Sequence, residues 1–430
     1  MSVQFDFSLI NPDTFRRGHP HDTYDQLRES APVWHHPGSD RQPAFWALTR
    51  FDDIRAVSLD GENFTSTLGF RIPTDNFAAM APEIGQVLAR FMLAMDNPEH
   101  HDFRQLVASA FMPAALAKVE SRVRAAVDAL IASLKGRDEV DVVTEVAAIV
   151  PIKTVCAIMG VPEADEWRVF EFTNAVFGTD DPDYAPTMAD ANARYLAIFD
   201  YGWDLLKRRR RDPQDDLLTR VAHATVGGRP LSPVEQKSFF SNMIAAGNET
   251  TRSSLGGALW ALASNPDQRQ LLVDDPGLIG GSLAELLRWY SPVFQMARTA
   301  RRDVDVGGTL VRAGERVAML YGAGNHDPAA FPDPHRLDLR RDGAARHLTF
   351  GYGVHHCLGS RLALMQLKLI LEGFLRAFPA YALAGKQDDP LSKAIHGLLD
   401  HAVETDRRLE LLLQKLEASG VNVEDELATA

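Results

Sequence analysis

The chain has 430 residues, 45% of them hydrophobic and 24% charged, with a net charge of −13. That much apolar sequence can bury a large core, and the acidic balance argues against a nucleic-acid binder, which needs a basic face. Two cysteines, Cys156 and Cys357, exclude a disulfide framework and fit a reducing cytoplasm.

The first residues, Met1 to Ser8, combine no basic region with an apolar core, so no secretory signal is expected. Within 32–51, Val33-Trp34-His35 and Ala44-Phe45-Trp46-Ala47-Leu48 are short apolar runs between turn residues, which predicts two strands. The segment Asp96-Asn-Pro-Glu-His100-His101-Asp-Phe-Arg104 sets His100 and Arg104 four residues apart. Helical periodicity marks 115–133, 144–159 and 190–211. Residues 146–161 come closest to a membrane span, but Pro151 and Lys153 interrupt them, and no span is expected. Cys156 in this run reads as core. Lys207 to Arg211 are five cations that suit a solvated helix C-terminus.

The clearest helix begins at Ser232. This serine can cap it, Pro233 fits the first turn, and Glu235 completes a capping box. The pattern runs to Ser264, where Asn265-Pro266 stops it. Such a helix must cross the core. In its middle lies Ala245-Ala246-Gly247-Asn248-Glu249-Thr250-Thr251, locally poor helix sequence. Met243, Ala246, Gly247, Thr250 and Ser254 share one face, small enough for a flat ring to lie against it. Thr250 can bond the carbonyl of Ala246 and loosen the helix into a groove. A second marked helix, 278–290, contains Glu285-Leu-Leu-Arg288, one acid and one arginine on a shared face. Residues 304–317 alternate around glycine pairs and predict a small hairpin or meander.

Residues 350–359 read Phe-Gly-Tyr-Gly-Val-His-His-Cys-Leu-Gly, followed by an apolar helical stretch from Leu358 to Phe374. A thiolate in such a turn is a soft ligand suited to iron. Gly351, Gly353 and Gly359 let the backbone approach a flat group and take positive φ. The following helix aims its positive end at the sulfur and favours the thiolate. The pattern Phe350-Gly351-x-Gly353-x-His355-x-Cys357-x-Gly359 resembles the heme-binding loop of the cytochrome P-450 monooxygenases. The mid-helix segment around Glu249 and Thr250 is similar to the same family's oxygen-binding motif.

The resemblance covers about Pro12 to Ala402. It implies a mainly α fold with a small β-rich lobe, the triangular helical prism of cytochrome P-450. On that basis 1–402 form the heme-thiolate domain, and 403–430 are a charged extension whose segment 404–416 has an amphipathic pattern. The implied cofactor is heme b, iron protoporphyrin IX, with Cys357 as the metal ligand. Ala246, Gly247, Phe350, Gly351 and Gly359 would contact it, and His100, Arg104, Arg298 and His355 would bind its propionates. Glu249 and Thr250 would deliver protons. Glu285 and Arg288 would be structural. His101 and His356 read as polar neighbours. Phe70, Phe77, Met80, Phe91, Met92, Met243, Val293, Phe294 and Met296 would line an apolar pocket. The implied reaction inserts one oxygen atom from dioxygen into a C–H bond of a bulky apolar molecule of terpenoid, steroid or alkyl-chain type. Its electrons would come from NAD(P)H through a ferredoxin and ferredoxin reductase, and the chain is expected to act as a monomer. Two rival readings are a peroxide-driven enzyme of the same type and a non-catalytic heme sensor.

Overall fold

The protein is described by a computed structural model over residues 8–15, 18–39, 42–72, 81–177 and 187–384. Phe77, Met80 and the charged extension 403–430 lie outside the described residues.

The Ser232 signal folds as its chemistry dictates. Its hydroxyl accepts from the Glu235 N–H at 3.3 Å, Glu235 accepts from the Ser232 N–H at 2.8 Å, and the helix Pro233–Ser264 follows. Its 32 residues reach about 48 Å. The helix divides its burial between two cores. Phe239, Phe240, Ile244 and Ala245 join a cluster with the helices Ile149–Met159 and Met188–Arg211. Leu255, Ala258, Leu259, Ala261 and Leu262 join a second cluster with Pro113–Leu134, Ile279–Tyr290 and Ser360–Ala377. Residues 246–254 belong to neither cluster. The poor helix sequence thus sits where the two cores part.

Nine strands occur among the described residues: β1 Val33–His36, β2 Phe45–Leu48, β3 Phe64–Thr65, β4 Thr225–Val226, β5 Arg229–Pro230, β6 Gln295–Ala300, β7 Val304–Val306, β8 Thr309–Val311 and β9 Arg316–Leu320; the β4–β5 pair packs against the helices, outside the β-rich lobe. The main sheet runs β1-β2-β9-β6-β3, with β2 and β9 parallel and the other neighbours antiparallel. β4–β5 and β7–β8 are separate hairpins. The expected meander after residue 304 is therefore only partly local. β7 and β8 pair with each other, but β9 leaves for the main sheet, because Val317 and Met319 pack against Val33 and Leu48 in the lobe's core.

The periodic run 144–159 is not one helix. Asp141 caps a wide π turn at Val142–Ala147, accepting from the Val143 and Thr144 N–H groups at 2.8 Å, and an α-helix restarts at Ile149. Pro151 explains the restart. Its missing N–H costs nothing in a first turn and would break a helix interior. The stretch Val142–Met159 is long and apolar enough to cross a membrane, yet 61% of it is buried against the protein. Core packing accounts for its composition. Cys156 is fully buried there, as expected of core. Of the cations at 207–211, Lys207, Arg208, Arg210 and Arg211 are exposed as expected, while Arg209 pairs with Asp216 and donates to the Gly160 carbonyl at 2.7 Å, and Arg210 also reaches Gln236 at 2.8 Å.

Candidate active site

The glycine turn is built by its own backbone bonds. The Cys357 N–H donates to Phe350 O at 2.8 Å and the Gly351 N–H to Leu348 O at 2.7 Å. Gly351 and Gly353 both take φ +69°, and a Cβ on Gly353 would lie 2.7 Å from the Ser58 carbonyl oxygen. Gly359 has a negative φ of −87°, so positive φ is not its reason. A Cβ there would meet open space.

The sulfur of Cys357 faces the backbone N–H groups of Gly359 and Ser360, at the start of the helix Ser360–Ala377. These donors and the Arg104 charge favour the thiolate, but burial outweighs them and pushes the thiol above its usual value. The expectation that the helix end alone secures a thiolate is thus corrected. Desolvation is the larger effect, and a bound metal cation is what holds a buried thiol deprotonated.

Around the sulfur the structure gathers cationic and donor groups. Arg104 and Cys357 interact electrostatically. Arg298 is buried at 7% exposure, and its guanidinium bonds its neighbour's carbonyl, Ala297 O, at 2.7 Å. Among the described residues neither arginine is paired with a carboxylate. The rings of His100 and His355 lie 4.4 Å apart, and Ser66 Oγ is 3.2 Å from His355 Nε2. Burial first, then the neighbouring arginines, lower His100 to about 4 and His355 to about 2. The acid that acts on this set, Asp96, is itself bonded to Arg301 and Thr65, so the two guanidiniums are left without a bonded carboxylate, an arrangement that suits an added anion, since a buried charge left unpaired is costly.

The central helix carries an exposed interval. Ala246 is exposed, and Met243, Gly247 and Thr250 are half-buried, in a helix whose other residues are mostly buried. Thr250 Oγ donates to Ala246 O at 2.8 Å, Thr251 Oγ to Gly247 O at 3.3 Å and Ser254 Oγ to Thr250 O at 2.7 Å. Such back-bonding competes with the helix ladder and weakens it, although the helix runs unbroken through these residues. The placement of Gly247 differs from the expectation of a cofactor contact. A Cβ there would lie 2.9 Å from Val155 Cγ2, so the glycine admits the neighbouring helix instead. Glu249 does not bond Thr250. Its carboxylate is buried against Arg252 and accepts from Ser253 Oγ at 3.3 Å.

Glu285 and Arg288 form the buried pair expected of them, at 2.7 and 2.8 Å. Two partners were not legible in the sequence. Arg341 donates to both oxygens of Glu285 at 3.0 and 3.1 Å. Asn325 joins the pair to the cysteine turn: its carbonyl accepts from Arg288 at 2.7 Å, its side-chain oxygen accepts from the Leu348 N–H at 2.7 Å, and its amide donates to Thr349 Oγ at 3.1 Å. Both act across many residues of chain and carry no local pattern; their only signal is three-dimensional.

The expected pocket residues separate. Phe70, Met92 and Met243 are partly buried against one cluster, and Val293 and Met296 against the lobe's cluster. The Phe70 carbonyl accepts from the Ala297 N–H at 2.6 Å, which sets it beside Met296 and Arg298. Phe91 is a core residue at 5% exposure. Phe294 instead stacks on Phe15 at 5.1 Å and meets His19 edge-on at 4.4 Å, because the N-terminal segment supplies it with an aromatic cluster. His101 and His356 are exposed.

The sequence profile of the cytochrome P450 family matches residues 279–402. Linalool 8-monooxygenase from Pseudomonas putida is 34% identical over 91% of this chain and 96% of its own. The chain belongs to the cytochrome P450 family. A methyl-branched lipid omega-hydroxylase of Mycobacterium tuberculosis is also 34% identical to this P450, covering 86% of it and 88% of the relative. A solved Mycobacterium marinum cytochrome P450 in complex with pseudoionone superposes with a TM-score of 0.80 at 34% identity, over 88% of this chain and 94% of that one. The fold is that of the cytochromes P450, mostly helical with small sheets, and the protein is a cytochrome P450 monooxygenase. The family's cofactor is a heme iron. The residues present fit it: a thiol that faces backbone donors, arginines with no bonded carboxylate among the described residues, and a face of small residues on the central helix.

Proposed function

We propose that this P450 holds heme b through Cys357 and hydroxylates a bulky apolar molecule. The observation that carries the assignment is Cys357 facing backbone donors beside Arg104, with Arg298 acting on His355 two residues away and neither guanidinium bonded to a carboxylate among the described residues. Arg104, Arg298, His100 and His355 bind the propionates. Phe350, Gly351 and Gly359 let the ring approach the turn, and Ala246 meets its other face.

Bound heme iron supplies dioxygen activation and transfer of one oxygen atom to a C–H bond. The chain's own residues position and protonate. Cys357 would hold the iron and supply it with electron density. Thr250 Oγ is a proton carrier at the open face. Its bond to Ala246 O fixes where the hydroxyl sits and weakens the ladder there. The Glu249 carboxylate takes protons from the Arg252 side and reaches the open face by a change of rotamer. The partly buried Phe70, Met92, Met243, Val293 and Met296 exclude water and grip an apolar substrate. A terpenoid, steroid or branched alkyl chain fits that lining, and the printed names of the relatives that act on linalool and methyl-branched lipid support the class. Electrons come from NAD(P)H through a ferredoxin and its reductase. Free, buried Cys156 and half-buried Cys357 suit a reducing cytoplasm.

The ligand assignment is tested with Cys357→Ser. The carbon monoxide adduct of the reduced protein is expected to lose its thiolate-type spectrum. An unchanged spectrum in the variant would remove Cys357 from the iron.

A further inference from the structure

We propose that His21, His326 and His335 form a binding site for one divalent transition-metal cation, with zinc the expected occupant, separate from the heme site.

The three histidines come from the first turn of the helix His21–Ser30, the residue after the short helix Tyr321–Asn325, and the loop beyond it. Each offers one ligand atom, and these atoms all lie within 4.8 Å of one another. The ring of His21 is 4.0 Å from that of His326 and 5.4 Å from that of His335, and the last two are 5.3 Å apart. Tetrahedral zinc with nitrogen at about 2.0–2.1 Å needs nitrogens roughly 3.3 Å apart. Rotation of His335, whose side chain is 46% exposed, can close that gap.

The surrounding bonds prepare one nitrogen on each ring. His326 Nδ1 is 3.0 Å from the Gly322 carbonyl, which fixes its proton there and leaves Nε2 for a metal. His335 Nε2 lies 2.8 Å from Asp25 Oδ2 and leaves Nδ1. A carbonyl behind one imidazole and a carboxylate behind another are the supports that metal-binding histidines normally have. The independent sign is His21 Nδ1, a buried polar atom with no hydrogen-bond partner. Nearly all buried polar atoms are satisfied, and an unsatisfied one in a nest of imidazoles points to a missing cation. His19 lies close by but is spent: its nitrogens face Tyr24 Oη at 3.4 Å and the Ser291 carbonyl at 2.8 Å.

Two cations oppose a metal, Arg28 and Arg288. Both are already paired, Arg28 with Asp25 at 2.6 Å and Arg288 with Glu285 at 2.7 Å. Desolvation also keeps His21 and His326 neutral, the form an imidazole needs to ligate. Three imidazole donors suit zinc, with water in the fourth position. The bound ion clamps the N-terminal helix onto the segment that carries Asn325, and so stiffens the scaffold behind the cysteine turn.

The test uses heme-loaded, full-length enzyme without a histidine tag, stripped with a chelator and titrated with zinc chloride alone by calorimetry. One zinc per chain is expected, at micromolar affinity or tighter. His335→Ala removes an exposed ligand with little risk to folding and is expected to weaken binding at least 100-fold. Asp25→Asn is expected to weaken it about 10-fold, and His223→Ala, an exposed histidine elsewhere, should leave it unchanged. X-ray absorption at the zinc edge is expected to show nitrogen and oxygen neighbours without sulfur. Absence of saturable one-to-one binding, equal affinity in His335→Ala, or a sulfur neighbour would each overturn the site.

Discussion

Two acid–arginine pairs in this P450 share a spacing and a depth but not a fate. Glu285–Arg288 and Glu249–Arg252 are both i, i+3 pairs on helices, and both are buried. Around the first, the lone pairs and protons are nearly all claimed. Arg288 donates to carbonyls of Asn325 and Pro334 at 2.7 and 2.9 Å, and Glu285 accepts from Arg341 and from the Asp338 N–H at 3.0 Å. Around the second, Glu249 has Ser253 beside Arg252 among the described residues. Saturation makes the first pair a frame. Fewer bonds on the Glu249 carboxylate suit the change of partner that the proton-carrying role proposed for it requires.

The comparison breaks hardest at Arg288. Arg288→Ala leaves the buried Glu285 carboxylate to Arg341 and the Asp338 N–H alone and frees three carbonyls, so a loss of about 3–5 kcal/mol is expected. Urea unfolding followed by heme absorbance measures it. Arg288→Lys should recover little, because an ammonium cannot repeat the two-pronged contact. A shift below about 1 kcal/mol in the alanine variant would dismiss the frame.

The sparse pair should respond the other way. Glu249→Gln keeps the shape and removes the proton. Stability is expected to fall by about 1 kcal/mol, while product formation supported by reductase falls roughly 10–100-fold and its solvent isotope effect rises. Equal losses of stability in Glu249→Gln and Arg288→Ala, with turnover intact, would make the two pairs the same kind of object.

How far each pair was legible follows from what closes it. Ser232, Pro233 and Glu235 announce the central helix because a cap is local chemistry, and the glycine turn announces itself because few residues can replace Gly351 and Gly353 at φ +69°. Glu285 and Arg288 were visible as a pair, yet the bonds that make them a frame come from Asn325 and Arg341, 37 to 56 positions away, where no periodicity points. Pro151 did carry the signal for the break near residue 148, but apolar periodicity on both sides masked it. Gly247 reads as a contact for a flat ring and Phe294 as a pocket wall, whereas what each one meets, Val155 and Phe15, lies on another element. Among the expected propionate contacts the residue types are legible in the chain, while the absence, among the described residues, of a carboxylate bonded to Arg104 or Arg298 is visible only in three dimensions.

A third acid, at the rim, sharpens the contrast by adding water. Glu235 begins the central helix and accepts from Arg229 at 2.7 and 2.8 Å and from Arg90 at 2.9 Å. Arg229 first, helped by the Ser232 N–H, pulls its carboxyl from 4.5 down to about 2. A carboxyl depressed in the folded state contributes stability that is fully present above its ordinary value. That contribution is lost as pH falls from about 4.5 through about 2. Taken whole, the shift would be worth about 3 kcal/mol, but the Arg229 side chain is 53% exposed, and screening there reduces the contribution to about 1–2 kcal/mol. Glu235→Gln should therefore cost that amount at pH 6 and almost nothing near pH 2, measured as the difference in urea midpoint between variant and parent at each pH. The difference also isolates Glu235 from every other titrating group the two proteins share. A difference that stayed constant across the range would mean that the cap's hydrogen bonds, which glutamine partly keeps, matter there and the charge does not.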